Sequence, residues 1–141
     1  MGQAPSRLSD PREPLSGRSG RRLASLCDLA PEAFLAAYDR VNLMDRFPGK
    51  LAKGDAFPMA EARPRAEALL AGEPRRFVLL GRAVSQAFGF SAEPWLSWRP
   101  LAGHLAASCP HPSGCCFWWN DPLNVGQARS FWLALEEARR P

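Results

Sequence analysis

The residues able to do chemistry fall in three polar segments: Gly2–Ser6, Asn42 and His111–Asn120. Each is expected to follow a strand, and in an open α/β sheet ligands bind beyond the carboxyl ends of the strands. Asn42 carries an acceptor and two donors on one amide, and His111 lies between Pro110 and Pro112, whose rings fix the local backbone. Ser6 and Ser113 offer hydroxyls and backbone N–H groups of the kind that hold phosphates. Cys109, His111, Cys115 and Cys116 cluster, with His104 near. No CxxC pair exists, however, and adjacent cysteines do not readily supply two tetrahedral corners, so no metal is expected. Structural roles remain open for the same residues: Asn42 can cap a turn and His111 can bond to backbone.

Charge narrows the partner. The net charge is +4, with 16 Arg against 2 Lys. Residues 1–22 hold Arg7, Arg12, Arg18, Arg21 and Arg22 against Asp10 and Glu13, which gives +3 of that total. A basic segment beside a binding loop suits a phosphate backbone, and it also reads as a solvated arm.

The chain of 141 residues has the size of one domain, 1–141, with residues 1–19 a loop or arm rich in Pro, Gly and Arg. At 46% hydrophobic and 23% charged residues it has an ordinary globular composition, which excludes a fibrous or generally disordered chain. No apolar run approaches the roughly 20 residues that span a bilayer. The opening Met-Gly-Gln-Ala-Pro-Ser-Arg has no apolar core, so a cytoplasmic location without membrane association is expected, and a monomer.

The elements that position these residues follow from periodicity and punctuation. Leu23, Leu26 and Leu29 share one helical face over 21–29, and Pro31 starts a turn through Ala37. Tyr38–Met44 is the first strand expected. A helix lies within Met59–Ala71, kinked or begun by Pro64. Phe77–Leu80 is the clearest strand, an apolar run fit for burial on both faces of a parallel sheet. Gly81 opens a helix through about Phe88, residues 89–103 read as loop, and His104–Cys109 is a weaker strand. Asp121-Pro122 is a helix start, followed by an apolar stripe of Val125, Ala128, Phe131, Trp132, Leu135 and Ala138. Helices alternating with strands indicate an α/β layered domain.

Gly2-Gln3-Ala4-Pro5-Ser6 and His111-Pro112-Ser113-Gly114 resemble the two signature motifs of the uracil-DNA glycosylase superfamily. Pro14-Leu15-Ser16-Gly17-Arg18-Ser19-Gly20 is similar to the Pro-Phe-x-Gly-x-Ala-Gly segment of its thermostable iron–sulfur branch. Val41-Asn42-Leu43 is similar to the strand end bearing a base-reading Asn, and Leu79-Leu80-Gly81 to the strand end before the third helix. All five stand in the superfamily's order. The resemblance implies a three-layer α/β/α sandwich with a small parallel sheet, and hydrolysis of the N-glycosidic bond of uracil or a related damaged base in DNA, with no cofactor. It also implies that the superfamily's first strand is missing upstream of residue 2, as in a truncated or divergent chain.

Residue by residue, the resemblance implies His111 as the catalytic donor toward uracil O2, and a base pocket of Gln3, Ala4, Leu15 and Asn42. An amide such as Asn42 can match N3–H and O4 of uracil while rejecting the reversed pattern of cytosine. Ser6, Arg7, Arg18, Ser113, Gly114 and Cys115 would contact DNA. Cys115 stands where relatives carry a wedge, and Phe117 or Trp118 could stack in the gap left by the base. Three departures are plain. Ala4 replaces the residue that activates water, Leu15 replaces the stacking Phe, and the cluster cysteines of the iron–sulfur branch are absent at their spacings. A binding protein of the same fold, weak or inactive in catalysis, is the competing expectation.

Overall fold

The computed structural model describes residues 13–51 and 56–139. Among them are five α-helices: α1 (Arg18–Leu26), α2 (Pro31–Ala37), α3 (Met59–Leu70), α4 (Arg82–Ala87) and α5 (Pro122–Arg139). Three strands, β1 (Arg76–Leu80), β2 (Arg99–Leu101) and β3 (His104–Cys109), form one sheet in the order β1-β3-β2. The protein is mixed α/β. No helix of the described residues is long and apolar enough to cross a membrane.

The sheet is mixed, where a parallel one was expected. β1 and β3 run parallel, with Phe77 opposite Ala106 and Leu79 opposite Ser108. β2 runs antiparallel to β3, joined to it by the two-residue turn Ala102-Gly103, both residues at positive φ. Positive φ at both central positions is the signature of a tight hairpin turn, and Ala-Gly is a weak sequence signal for one. Pro94 and Pro100 also argued for a loop across 89–103. Pro100 is tolerated because β2 lies at the edge, where a missing N–H costs no ladder bond.

Tyr38–Met44 is not a strand. Asn42 makes an isolated bridge and its neighbours are irregular. Tyr38 ends α2 in extended backbone and packs on Phe34 and Trp132, with ring centroids 4.9 and 5.9 Å apart. A cleft lies between Tyr38–Val41 and β1, so these two segments do not pair as strands.

Alternate residues of β1 feed two core clusters, as the two-residue period of a strand requires. Phe77 and Leu79 pack with Leu43 and Met44, with Ala62 and Ala66 of α3, and with Val84 and Ala87 of α4. Val78 and Leu80 join Leu23 and Leu26 of α1, Phe34 of α2, and Ala128 and Trp132 of α5. In α3, Pro64 sits six residues in, and Ala62 and Ala66 are fully buried on either side of it. α5 begins as expected, with Asp121 Oδ1 accepting the Leu123 N–H at 2.9 Å. Its buried face is Ala128, Trp132 and Glu136, and Ala138 is exposed rather than part of the stripe.

α1 starts at Arg18, three residues earlier than its leucine spacing suggests, because Gly20 lets the preceding loop close over it. A Cβ on Gly20 would lie 1.6 Å from the Leu15 carbonyl oxygen. Leu15 itself has φ +63, a left-handed conformation that costs a bulky residue about 1–3 kcal/mol. The elements around it hold the segment: Arg40 Nη1 donates to the Pro14 carbonyl at 2.5 Å.

Candidate functional site

The site is built where the two parallel strands end. Gly81 follows β1 and donates its N–H to the Cys109 carbonyl at the end of β3, at 2.8 Å. Gly81 has φ +97, open to glycine at no steric cost. A Cβ there would lie 3.3 Å from His111 Cβ and 3.6 Å from Cδ2, so the imidazole rests against the bare Gly81 backbone. Behind it, Ser85 Oγ donates to the Gly81 carbonyl at 3.1 Å and pairs with Ser108 Oγ at 2.8 Å, both buried. These bonds tie the start of α4 to β3 and fix the platform under His111.

The loop after β3 is equally fixed. Pro110 and Pro112 are fully buried on either side of half-buried His111. Trp119 Nε1 donates to the His111 carbonyl at 2.8 Å. Arg22 Nη1 donates to the Ser113 carbonyl at 3.2 Å, and its guanidinium lies over the Trp119 ring, 5.4 Å from the centroid. The main-chain path of His111–Ser113 is thus set by α1 on one side and by the 3-10 turn Phe117–Asn120 on the other. Asn124 of α5 closes that turn by donating to the Trp118 carbonyl at 3.0 Å.

Of the residues assigned to DNA contact, Gly114 and Cys115 are exposed, Ser113 is half-buried, and Arg18 is exposed at the first residue of α1. Arg22, grouped by sequence with the basic arm, is instead half-buried and engaged with Ser113 and Trp119. Its position four residues into α1, on the side of the 110–116 loop, turns it inward. The aromatic run divides in the same way. Trp119 is buried, whereas Phe117 is 84% exposed, a large apolar ring projecting from the rim of this loop.

The remaining assignments are dispersed or lie beyond view. Leu15 is half-buried and lines the cleft beside β1. Asn42 is half-buried, and neither it nor His111 lines that cleft. Gln3, Ala4, Ser6 and Arg7 lie outside the described residues, as does Arg12.

The cysteines are dispersed in environment. Cys109 is buried at the end of β3 and Cys27 beneath α1, whereas Cys115 is exposed and Cys116 half-buried. Burial pushes the Cys109 thiol up to about 12 and the Cys27 thiol to about 11, so both stay protonated and unreactive at neutral pH. Among the described residues, no group of three or more His, Cys, Asp or Glu is arranged to hold a metal ion. His104 bridges two elements: its Nδ1 accepts the Arg75 N–H at 3.2 Å, and Nε2 lies 3.0 Å from the Leu70 carbonyl. With Nδ1 an acceptor, Nε2 carries the proton and donates.

One polar centre escaped the sequence reading. Glu136 is 2% exposed on the inner face of α5. Tyr38 donates to its Oε2 at 3.0 Å, and Arg139 grips both carboxylate oxygens from Nε at 3.1 Å and Nη2 at 2.6 Å. Burial, the nearby Cys27 and the bond to Glu136 push the Tyr38 phenol well above its ordinary value. The signal was present: Ala128, Trp132 and Glu136 recur at four-residue spacing, but a carboxylate is rarely read as core unless its partner is known.

The chain matches no protein-family model, no curated protein and no solved structure.

Proposed function

We propose that this chain is a uracil-DNA-glycosylase-like protein of the three-layer α/β/α type, acting in the cytoplasm as a monomer on uracil-containing or otherwise damaged DNA. The observation that carries the reading is the placement of His111. It is pinned between two buried prolines and pressed against Gly81, where two adjacent parallel strands end. Ligands of open α/β sheets bind at such ends. A donor held there, aimed at a departing base, stabilises the charge that develops on uracil O2 as the glycosidic bond breaks.

In this reading Asn42 recognises the edge of the extruded base, and Gln3, Ala4 and Leu15 complete the pocket. Ser6, Arg7, Arg18, Ser113 and Gly114 contact the DNA backbone, and Cys115 stands at the wedge position. Exposed Phe117 is the residue suited to fill the gap in the duplex. Ala4 cannot orient water, so turnover is slow and relies on stabilising the leaving group.

The test is uracil release from single- and double-stranded DNA. His111→Ala should lower release about 10²–10³-fold, the usual cost of removing one positioned donor. Ala4→Asp should raise it, with about 10²–10⁴-fold available from a correctly placed acid–base group. The second reading, a damaged-base binder without turnover, is favoured by Ala4. It gains the ground if uracil-containing DNA is bound in preference to undamaged DNA and no variant releases base. Equal binding to both DNAs and no release defeat both readings.

A further inference from the structure

We infer that the cleft between Tyr38–Val41 and β1 is a binding site for a fatty carboxylate, an alkyl chain of medium length with one anionic head. The cleft stands apart from the base-recognition site: neither His111 nor Asn42 lines it, and among the described residues the two share Leu15 alone. Side chains hold such a ligand, and the backbone of β1 takes no part.

Size and lining suit a small molecule. The cavity encloses about 540 Å³, inside the range of about 300–1,000 Å³ typical of ligand sites. Leu23, Phe34, Tyr38, Leu80, Trp132 and Leu135 are its main apolar lining, and all six belong to the cluster that α1, α2 and α5 form with β1. The wall passes from buried Phe34 and Trp132, through half-buried Tyr38 and Leu135, to Val41, which is 37% exposed. The cavity therefore opens from the core to solvent. Arg76 and Leu80 both line it, and about 13 Å of strand separates their Cα atoms, which leaves room for an extended alkyl chain.

Charge selects the head group. Arg40, Arg75, Arg76 and Arg139 line the cleft, against the single carboxylate of Asp39. Arg139 is already matched by Glu136. Arg40, Arg75 and Arg76 form no ion pair among the described residues. Arg75 and Arg76 are exposed and stand at the rim, and the Arg76 guanidinium lies over the Trp98 ring, 5.9 Å from its centroid. Guanidinium groups beside low-dielectric walls focus their field into the cleft and concentrate anions there.

Arg40 is the most constrained of the three. Its Nη1 donates to the Pro14 carbonyl at 2.5 Å, and its Nε is buried with no hydrogen-bond partner among the described residues. A buried donor without an acceptor is costly, and a carboxylate offers two acceptors in the plane of a guanidinium edge. An alkyl tail covers the apolar walls while one carboxylate answers the unmatched arginines. A cationic amphiphile of the same length covers the walls and meets repulsion at the rim.

The probe is decanoate, titrated into the full chain by calorimetry, and binding should saturate at one site. Butyrate keeps the head and shortens the tail, and decylammonium keeps the tail and reverses the charge. Each should bind at least about tenfold more weakly. Decanoate should shift the indole N–H resonances of Trp98 and Trp132, which line the cleft, and leave that of Trp119, which is bonded to the His111 carbonyl. Arg75→Gln combined with Arg76→Gln, both at exposed positions, should weaken binding at least about tenfold with the melting temperature retained. Ala138→Trp, at an exposed position on the cleft, should weaken it to a similar extent by filling the cavity. Leu123→Ser, an exposed apolar site outside the cleft, should leave the affinity unchanged. Uptake without saturation, equal affinity for decylammonium, full affinity in the double arginine variant, or an equal loss in Leu123→Ser would overturn the inference. So would a shift at Trp119 with Trp98 and Trp132 unmoved, since the ligand would then lie at the His111 loop.

Discussion

Among the described residues the sheet has two outer strands, and they are built differently. β2 is three residues long, half-exposed at Arg99 and Leu101, and carries Pro100 opposite Leu105. A short strand with a proline and a charge is the usual way to protect an edge from further pairing. β1 has five residues, four of them apolar, and three of those are buried. Its far side lines a cleft shared with Tyr38–Val41, Phe34, Trp132 and Leu135. The comparison teaches that position in a sheet and design for that position are separate properties. β2 is an edge by its own sequence, whereas β1 has the sequence of an inner strand.

The largest expected effect separates the two strands directly. Leu79→Ala removes a fully buried side chain from β1 and should cost about 2–5 kcal/mol by chemical denaturation. Pro100→Ala on exposed β2 should stay within about 0.5 kcal/mol. Equal losses would break the distinction. Next comes the junction that carries His111. Gly81→Ala meets both the positive φ and the His111 side chain at 3.3 Å, and should cost about 1–3 kcal/mol. It should also shift the His111 ring resonances, which a purely local backbone effect would leave in place.

A smaller effect is readable by pH. The Cys109 thiol is raised from 9.0 to about 12 and that of Cys27 from 9.0 to about 11. The folded protein therefore holds protons that the unfolded chain releases between those values. Stability is fully present below pH 9 and falls as pH rises through each folded value. Cys109→Ala should make that decline shallower across pH 9 to about 12. At pH 8 a maleimide should label Cys115 and spare Cys27 and Cys109 in the folded protein. The smallest effect belongs to the exposed ion pair in which Arg65 donates to both oxygens of Asp45, with Nη1 to Oδ1 at 2.7 Å. That pair holds the Asp45 carboxyl below its ordinary range. Asp45→Asn should leave the melting midpoint unchanged within error, because exposed pairs are screened by solvent.

Local signals carried much of the architecture. Pro31 and Ala37 bound α2 as expected, and Asp121-Pro122 starts α5 with the anticipated cap. The run from Phe77 to Leu80 is a strand because its four apolar residues satisfy both faces of a sheet at once. His104 has no motif around it in the sequence, and its two ring bonds to Arg75 and Leu70 give it a structural role. The site was legible only in part. The segment His111–Cys115 does follow a strand end, but Arg22 reads as a surface cation until Trp119 and the Ser113 carbonyl are placed beside it.

What the sequence determined by itself is whatever depends on neighbours a few residues apart: helix caps and starts, the apolar run of β1, the prolines that hold His111, and the excess of arginine in residues 1–22. Tertiary structure decided what depends on residues far apart in the chain. Tyr38–Met44 has the composition of a strand and fails to become one, because a ladder needs a partner at hydrogen-bond distance, and a cleft lies beside it. β2 carries a proline and becomes a strand, because the Ala102-Gly103 turn folds it onto β3. Glu136 is buried for the same kind of reason. Its charge is acceptable inside the protein because partners meet it there, among them Tyr38, 98 residues earlier in the chain, and Arg139.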